Sequence, residues 1–237
     1  MACDASLRAR VSGPTASTYW RLTSSVTCCI AADRVLFLDI ARDRYFALPA
    51  AHRQQFVAWL SGELLEPPEQ CRRFLRGLTE KTSAEIEQLV PRRRAVSMPA
   101  AIDAERLPPA RLKPGSLLGV TRAVVTAWWD VRSGRLGEIL QDRLSTSKLT
   151  GTASAAGLTS RLSAFRAARP FVPVPRVCLH DCLALMDWLG ADRALAQLTF
   201  GVAAYPFAAH SWIQADGCRI DDHPESPSRF QPILQLP

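Results

Sequence analysis

Short runs of β-branched and aromatic residues, each bounded by small or polar residues, dominate the first part of the chain. Residues 27–30, 34–39 and 44–48 form these runs, and Ala-Ala-Asp and Ala-Arg-Asp breaks separate them. Runs of this kind with tight breaks favour strands. The pattern therefore predicts a three-stranded antiparallel meander.

The pattern becomes helical after Pro49. Apolar residues along one side predict a helix over residues 50–60. Pro68 is expected to open a second helix that runs to residue 78, because proline is tolerated in a first helical turn.

A third helix is predicted from Thr82. Thr82 and Glu85 have the spacing of a capping box, and an apolar stripe follows at Ile86, Leu89 and Val90. Three strands followed by three helices make a small α+β domain over residues 1–90.

A second domain is expected over residues 115–237. Residues 91–114 hold five prolines and several arginines, which predicts an exposed linker. Helical apolar spacing then extends over residues 117–144, and residues 145–160 are rich in Ser, Thr, Ala and Gly. That small-residue stretch predicts either a flexible connection or the cap of the next helix.

Composition bounds the class of protein. Of the 237 residues, 48% are hydrophobic, which is enough for packed cores, and no apolar run is long enough to span a bilayer. The first residues hold no apolar signal region and the seven cysteines are scattered, so we expect a cytoplasmic protein with reduced thiols. The net charge of +7 suits a basic surface that favours solubility, an acidic peptide partner or nucleic acid.

A cysteine, a histidine and an acid follow one another in the last third of the chain. Cys178 stands at the predicted start of a helix, and His210 lies on strand-like sequence with Asp222 twelve residues beyond it. The N–H groups and dipole of a helix start stabilise a thiolate, and an adjacent imidazolium does so further. This order predicts a thiol nucleophile, a histidine base and an orienting carboxylate.

The length of the next turn decides which acid can assist His210. An Asp-Gly pair at residues 216–217 predicts a hairpin. A two-residue loop leaves Asp221 diagonal to His210, whereas a three-residue loop places Asp222 directly opposite His210 on the same face. The second register separates apolar from polar side chains better, so Asp222 is the favoured partner and Asp221 the reserve.

A zinc site is the alternative use of these residues. Its ligands would be Cys178, His180, Cys182 and His210, since the two cysteines lie one helical turn apart. Structural zinc sites usually show two tight ligand pairs, and only one is present here. We therefore expect no metal and place His180 at the helix surface.

Two groups of motifs resemble one known family. The C-terminal group is Arg176-Val-Cys178-Leu-His-Asp-Cys182-Leu-Ala-Leu185, Phe207-Ala-Ala-His210-Ser-Trp212, Asp216-Gly217 and Asp222. The N-terminal group is Val35-Leu-Phe-Leu-Asp39 and Asp43-Arg44-Tyr45-Phe46 with Leu48. Both resemble the leader peptidases of lasso-peptide biosynthesis, the lasso B proteins, which are transglutaminase-like cysteine proteases. The resemblance covers residues 18–88 and 115–237, as in the form that carries both units in one chain.

The resemblance implies an α+β chain with two units. The N-terminal unit would be a leader-recognition domain, a small winged-helix-like module related to the pyrroloquinoline-quinone chaperone fold. The C-terminal unit would be a papain/transglutaminase-like cysteine peptidase that hydrolyses the leader–core bond. By resemblance, Cys178 matches the nucleophile, His210 the base and Asp222 the third member. Cys182 departs from the family, which usually has serine there.

The implied substrate is the leader of a precursor peptide. The resemblance implies that the leader adds as a strand beside Arg44, Tyr45 and Phe46, with Ile86 and Leu89 in the opposite wall. Apart from Arg44, the same side chains are also suited to a hydrophobic core, and both interpretations stay open.

The implied partner is an ATP-dependent, asparagine-synthetase-like lasso cyclase, which closes a ring on the freed amine. ATP would belong to that cyclase, because this chain has no phosphate-cradling glycine loop, and no cofactor, nucleic acid or membrane is expected. A winged-helix DNA-binding regulator is one alternative, but no recognition helix stands out in residues 50–90. A non-catalytic peptide-binding chaperone is the other, and the intact Cys178, His210 and Asp222 argue against it.

Overall fold

The computed structural model describes most of the chain. The described residues are 19–64, 66–82, 100–101, 112–134, 136–144, 151–221 and 227–236. They form a mixed structure of helices and antiparallel sheets.

The N-terminal half contains the predicted meander. Strands β2 (Val26–Ala31), β3 (Arg34–Asp39) and β4 (Arg44–Ala47) pair antiparallel in the order β2-β3-β4. Asp43 adopts a left-handed φ of 47° in the tight β3–β4 connection, a conformation that aspartate tolerates better than most residues. The three runs predicted from the sequence are thus confirmed as strands.

The first two predicted helices are present, and the second is shorter than predicted. Helix α1 (Arg53–Leu60) follows a 3-10 turn, whereas α2 ends early and spans Glu69–Phe74. The chain reverses at Gly77, which has a φ of 76°, and Thr79–Thr82 then forms strand β5. This strand pairs antiparallel with β1 (Tyr19–Leu22). The second helix therefore gives way to a sheet that the sequence pattern did not predict.

The C-terminal half begins, in its described part, with four helices. They are α3 (Pro114–Arg132), α4 (Leu136–Leu144), α5 (Ala155–Ala168) and α6 (Cys178–Leu189). The helical spacing predicted over residues 117–144 is divided in two, because Gly134 adopts a left-handed φ of 70° just after α3. The Ser154 hydroxyl accepts a hydrogen bond from the Gly157 N–H at 3.0 Å and so caps α5.

A five-stranded sheet is completed after the helices. Its long strands are β7 (Gln197–Ala204), β8 (Phe207–Ala215) and β10 (Gln231–Leu236), with short strands at β9 (Cys218–Arg219) and β6 (Ala100–Ala101). The order is β10-β7-β8-β9-β6, and only the β6–β9 pairing is parallel. Helix α6 covers one face, where its apolar side chains share a cluster with residues of β7 and β8.

Much of the predicted linker and of the third predicted helix lies outside the described residues. Thr82 itself is the last residue of β5, and Ile86 and Leu89 lie beyond the described range. Ala100–Ala101, inside the predicted exposed linker, instead pairs with β9 as a sheet strand. Pro114 begins α3 at its first turn rather than ending a linker.

The three-stranded sheet packs on both of its faces. Val35 and Phe37 point into an N-terminal cluster with α1, whereas Leu36 and Leu38 join the cluster that contains α3, α6 and β7. The Thr27 hydroxyl donates to the Ile233 carbonyl of β10 at 2.6 Å, which ties the two sheets further. The N-terminal sheet is therefore held against the C-terminal half by a common apolar core.

The hairpin after β8 has the shorter of the two turns considered. Ala215 pairs with Cys218, and Asp216 and Gly217 have left-handed φ values of 48° and 73°. Two successive left-handed residues make the type I′ turn that an Asp-Gly pair favours. The prediction of a three-residue loop is therefore wrong. The strand register that favoured Asp222 over Asp221 does not form, so it no longer supports that choice.

We expect Gly201→Ala to lower the melting temperature. Gly201 pairs with His210, and a Cβ at this position would lie 2.6 Å from the Trp212 ring and 2.9 Å from the Phe230 Cβ. Overpacking of this kind costs roughly 1–3 kcal/mol of unfolding free energy. The measurement is thermal unfolding followed by circular dichroism.

The matched control is Gly115→Ala in the first turn of α3, where an added Cβ meets nothing within 4 Å. It should leave the melting temperature unchanged or slightly higher, since alanine favours helix. Equal melting temperatures for Gly201→Ala and the unaltered protein would contradict the described packing.

Candidate active site

Cys178 occupies the first position of α6, as predicted. Val177 precedes it with extended backbone at φ −128° and ψ 130°, and the Asp181 N–H donates to the Val177 carbonyl at 3.0 Å to form the first helical hydrogen bond. The thiol is half-buried. It therefore lies where the N–H groups of a helix start stabilise negative charge.

A buried arginine binds the segment that leads into this helix. Arg169 donates from Nε to the Asp181 carboxylate at 2.8 Å, and Nη2 lies 2.8 Å from the same oxygen. Its Nη groups also donate to the carbonyls of Val172, Val174 and Pro175, at 3.4, 3.1 and 3.2 Å. These bonds join the chain before Cys178 to the first turn that contains it.

Arg176 completes this group of charges. Its Nε donates to the second oxygen of Asp181 at 3.1 Å, so each oxygen of one carboxylate binds a different arginine. Arg176 is partly exposed, whereas Arg169 is only 1% exposed. The sequence reasoning did not identify Arg169, although an arginine and an aspartate within apolar sequence on either side of Cys178 are a readable sign of such a pair.

Cys182 is a buried thiol one helical turn from Cys178. It is 2% exposed, and burial raises its pKa well above 9.0, with the Asp221 carboxylate adding to this rise. The Ser211 side chain acts on that pKa in the opposite direction but does not overcome burial. Cys182 is therefore held as a neutral thiol, which is a weak nucleophile.

Tyr45 brings the N-terminal sheet next to the nucleophile candidate. Burial is the main reason that the pKa of its phenol is raised, and negative charge on Asp43 and on Cys178 contributes further. The Tyr45 ring lies 5.9 Å from that of Phe207, at the start of β8. Strand β4 and the first turn of α6 are therefore neighbours.

The other N-terminal candidates take different positions. Arg44 is exposed, whereas Phe46 is half-buried and stacks on Phe37 at 4.9 Å between ring centroids. Phe46 thus packs against the N-terminal core, one of the two interpretations left open.

His210 lies in the middle of β8 and is 2% exposed. Its ring packs on Phe230 at 5.1 Å and on Trp212 at 6.1 Å. Side chains alternate along a strand, and Ile213, on the other face, joins the apolar cluster of α6. The structure therefore places the imidazole against the face of β8 opposite to the one that α6 covers.

Of the two acids considered, Asp221 is described and Asp222 lies outside the described residues. Asp221 is buried and accepts a hydrogen bond from the Ile213 N–H at 3.0 Å. Its other oxygen lies 3.8 Å from Arg219 Nε. The Asp221 carboxylate thus binds a backbone N–H of β8 just beyond the point where the pairing with β9 ends.

The residues considered as zinc ligands do not form a metal site in the described part of the chain. No group of three or more His, Cys, Asp or Glu residues suited to a metal occurs there. His180 is half-buried rather than at the surface, and burial lowers its pKa against the opposing effect of Asp181. Among the described residues, none of the cysteines forms a disulfide: these are Cys28, Cys29, Cys71, Cys178, Cys182 and Cys218.

Comparison with known proteins classifies the C-terminal half. The family described as "Transglutaminase-like superfamily" matches residues 120–235, from within α3 into β10. This region is a transglutaminase-like domain. It contains Cys178, His210 and both acids, whereas the N-terminal sheet lies outside the match. The comparisons with curated proteins and with solved structures gave no match.

None of the helices within the described ranges combines the length and the apolar composition that crossing a bilayer requires.

We expect iodoacetamide to alkylate Cys178 much faster than Cys182 in the folded protein. The thiolate is the reactive form, and burial raises the pKa of Cys182, so the difference should be at least about tenfold at pH 8. Peptide mass spectrometry after timed quenching measures both rates. Cys182→Ser should leave the Cys178 rate unchanged, and faster labelling of Cys182 would show that the described burial is wrong.

Proposed function

We propose that this chain is a cysteine peptidase that removes the leader from a lasso-peptide precursor. The observation that carries the proposal is the half-buried Cys178 in the first turn of α6, within the transglutaminase-like domain and beside Tyr45 of a strand edge. A thiol at this position is suited to attack a carbonyl, and a neighbouring strand edge is suited to hold an extended peptide.

The proposed reaction has two steps. His210 takes the proton of the Cys178 thiol, and the thiolate attacks the carbonyl carbon of the last leader residue. The C–N bond breaks, His210 returns the proton to the departing core amine, and an acyl-enzyme remains. Water then hydrolyses the thioester, which releases the leader acid and restores the thiol. Backbone N–H groups at the start of α6 would stabilise the oxyanion.

This mechanism requires the His210 imidazole to come within hydrogen-bond reach of the Cys178 thiol. In the described conformation its ring packs on Phe230 and Trp212. Proton transfer requires the imidazole to reach the thiol, so we propose that β8 rearranges around His210 when peptide binds. Asp222 is proposed to orient the imidazole because it matches the third member of the resembled family, with Asp221 as the reserve.

The leader is proposed to add to strand β4. Among the described residues β4 pairs with β3 alone. The Leu48 N–H donates to the Val35 carbonyl, so strand alternation turns the N–H groups of Tyr45 and Ala47 away from β3. Arg44 and Phe46 would contact the leader from the same strand, and Ile86 and Leu89 from the opposite wall.

The partner proposed for the product is an ATP-dependent, asparagine-synthetase-like cyclase that uses the freed core amine. No cofactor of this chain takes part in the proposed hydrolysis, and the proposed location is the cytoplasm.

A non-catalytic peptide-binding protein is the second candidate. The packing of His210 on the face of β8 away from α6 favours it. Such a protein would bind leader at β4 without cleaving it.

We expect Cys178→Ala to abolish leader release while leader affinity stays unchanged. A lasso precursor is incubated with the protein, with and without its cyclase, and release is followed by mass spectrometry. His210→Gln should slow release by roughly 10²–10⁴-fold, because proton transfer is lost. Cys182→Ser is the matched control and should retain most of the activity.

Cleavage by Cys178→Ala would refute the nucleophile assignment, and binding without cleavage by the unaltered protein would favour the second candidate. Asp222→Asn should be more damaging than Asp221→Asn, and the reverse order would transfer the orienting role to Asp221.

We expect Ala47→Pro to weaken leader binding by roughly tenfold, because it removes one outward N–H donor without removing a bond to β3. The readout is fluorescence anisotropy of a labelled leader peptide. Ala47→Ser keeps the donor and should bind like the unaltered protein. Unchanged affinity of a folded Ala47→Pro protein would exclude strand addition at β4.

A further inference from the structure

We propose that Arg169 is a positioning residue for Cys178, one that fixes the backbone before the nucleophile in the conformation that attack requires. This inference rests on the proposed function of Cys178. Arg169 lies on the segment that leads into α6 and acts on Cys178 through Asp181 and three backbone carbonyls.

Burial of Arg169 is costly unless it is fully bonded. Removing a guanidinium from water is unfavourable even after the protein relaxes, and hydrogen bonds with good geometry must offset this. Arg169 has five N–H donors in a rigid fork, and they meet Asp181 and the carbonyls of Val172, Val174 and Pro175. The site is therefore built for a guanidinium rather than for any positive charge.

The bonded carbonyls show what this arrangement controls. All three belong to the segment that ends at Cys178, and Pro175 is separated from Cys178 by two residues. Asp181 lies three residues after Cys178, and its N–H makes the first helical bond. Arg169 thus holds the chain on both sides of the thiol, which fixes the direction of the sulfur and of the N–H groups at the helix start.

The Arg176 bond strengthens this inference. Arg169 binds one oxygen of the Asp181 carboxylate, and Arg176 Nε donates to the other oxygen. The carboxylate cannot rotate without breaking a bond to one arginine. Its orientation, and with it the first turn of α6, is therefore fixed by two arginines that precede the nucleophile.

Lysine cannot replace Arg169 in this role. An ammonium keeps the charge but has no planar fork, so it cannot bind Asp181 and the carbonyls of the preceding segment together. A displacement of about 1 Å at a nucleophile can cost roughly 10²-fold in rate, while a recognition strand elsewhere is unaffected.

The test uses Arg169→Lys in the full chain. We expect the single-turnover rate of leader release to fall roughly 10²-fold while the Kd for labelled leader peptide changes less than about twofold. Alkylation of Cys178 by iodoacetamide, measured by peptide mass spectrometry, should slow as well. Thermal unfolding is recorded for every variant.

The matched control is Arg161→Lys. Arg161 also binds α6, but at the end of the helix away from Cys178. It donates to the Trp188 carbonyl at 2.9 Å, and its Nε lies 3.3 Å from the Asp192 carboxylate. Its substitution should leave release and alkylation within about threefold of the unaltered protein. If Arg169→Lys does not fold, the isosteric Asp181→Asn variant replaces it in the test. That variant should show the same loss of rate with unchanged leader affinity.

Normal release and alkylation by Arg169→Lys, or by Asp181→Asn where the first is unfolded, would overturn the proposal. So would losses in rate no larger than those of Arg161→Lys at a comparable melting temperature. Release that survives Cys178→Ala would instead refute the proposed function, and the alkylation rates would still decide whether Arg169 positions Cys178.

Discussion

The buried pair between Arg169 and Asp181 is the constraint on which the candidate site depends. An unpaired charge at either position would be costly, because the interior has few other groups able to solvate it. The two residues must therefore stay together, and the chain between them has little freedom. That chain contains three prolines before α6, the N-cap residue and Cys178. A single ion pair thus links the stability of the domain to the geometry of its thiol.

The second organising feature is the apolar core that both halves of the chain share. The two faces of the three-stranded sheet belong to different clusters, so this sheet is not a surface layer of an independent N-terminal unit. Its β4 edge is brought close to α6 by the same packing, with Tyr45 between them. Binding of a peptide at that edge and chemistry at the thiol would therefore occur on one packed body, without a flexible link between them.

The sequence predicted local features well and long-range ones poorly. The meander and the start of α6 follow from period-two patterning, from proline and from helix-start chemistry, all of which act within a few residues. The turn after β8 was mispredicted because apolar alternation was given more weight than the preference of Asp-Gly for two left-handed residues. Which side of β8 faces α6 depends on the packing of elements distant in sequence. The contact between His210 and Phe230 could therefore not be predicted from the sequence. Arg169 was missed for a different reason: its partners lie only 3 to 12 residues further along the chain, but hydrophobic periodicity does not show which charged residues are buried together.

The pairing of Ala100–Ala101 with β9 bears on where a foreign strand can attach. An open sheet edge offers a row of unpaired backbone groups to any extended chain, and proteins commonly cover such edges to avoid unwanted association. Here the connection between the two halves covers the β9 side, and the opposite edge strand, β10, lies against β2. Within the described residues, β4 is one of the edge strands: it pairs with β3 on one side and with no strand on the other. The chain thus occupies the outer side of β9 with a strand from its own connecting segment, so an extended peptide cannot pair with β9 there.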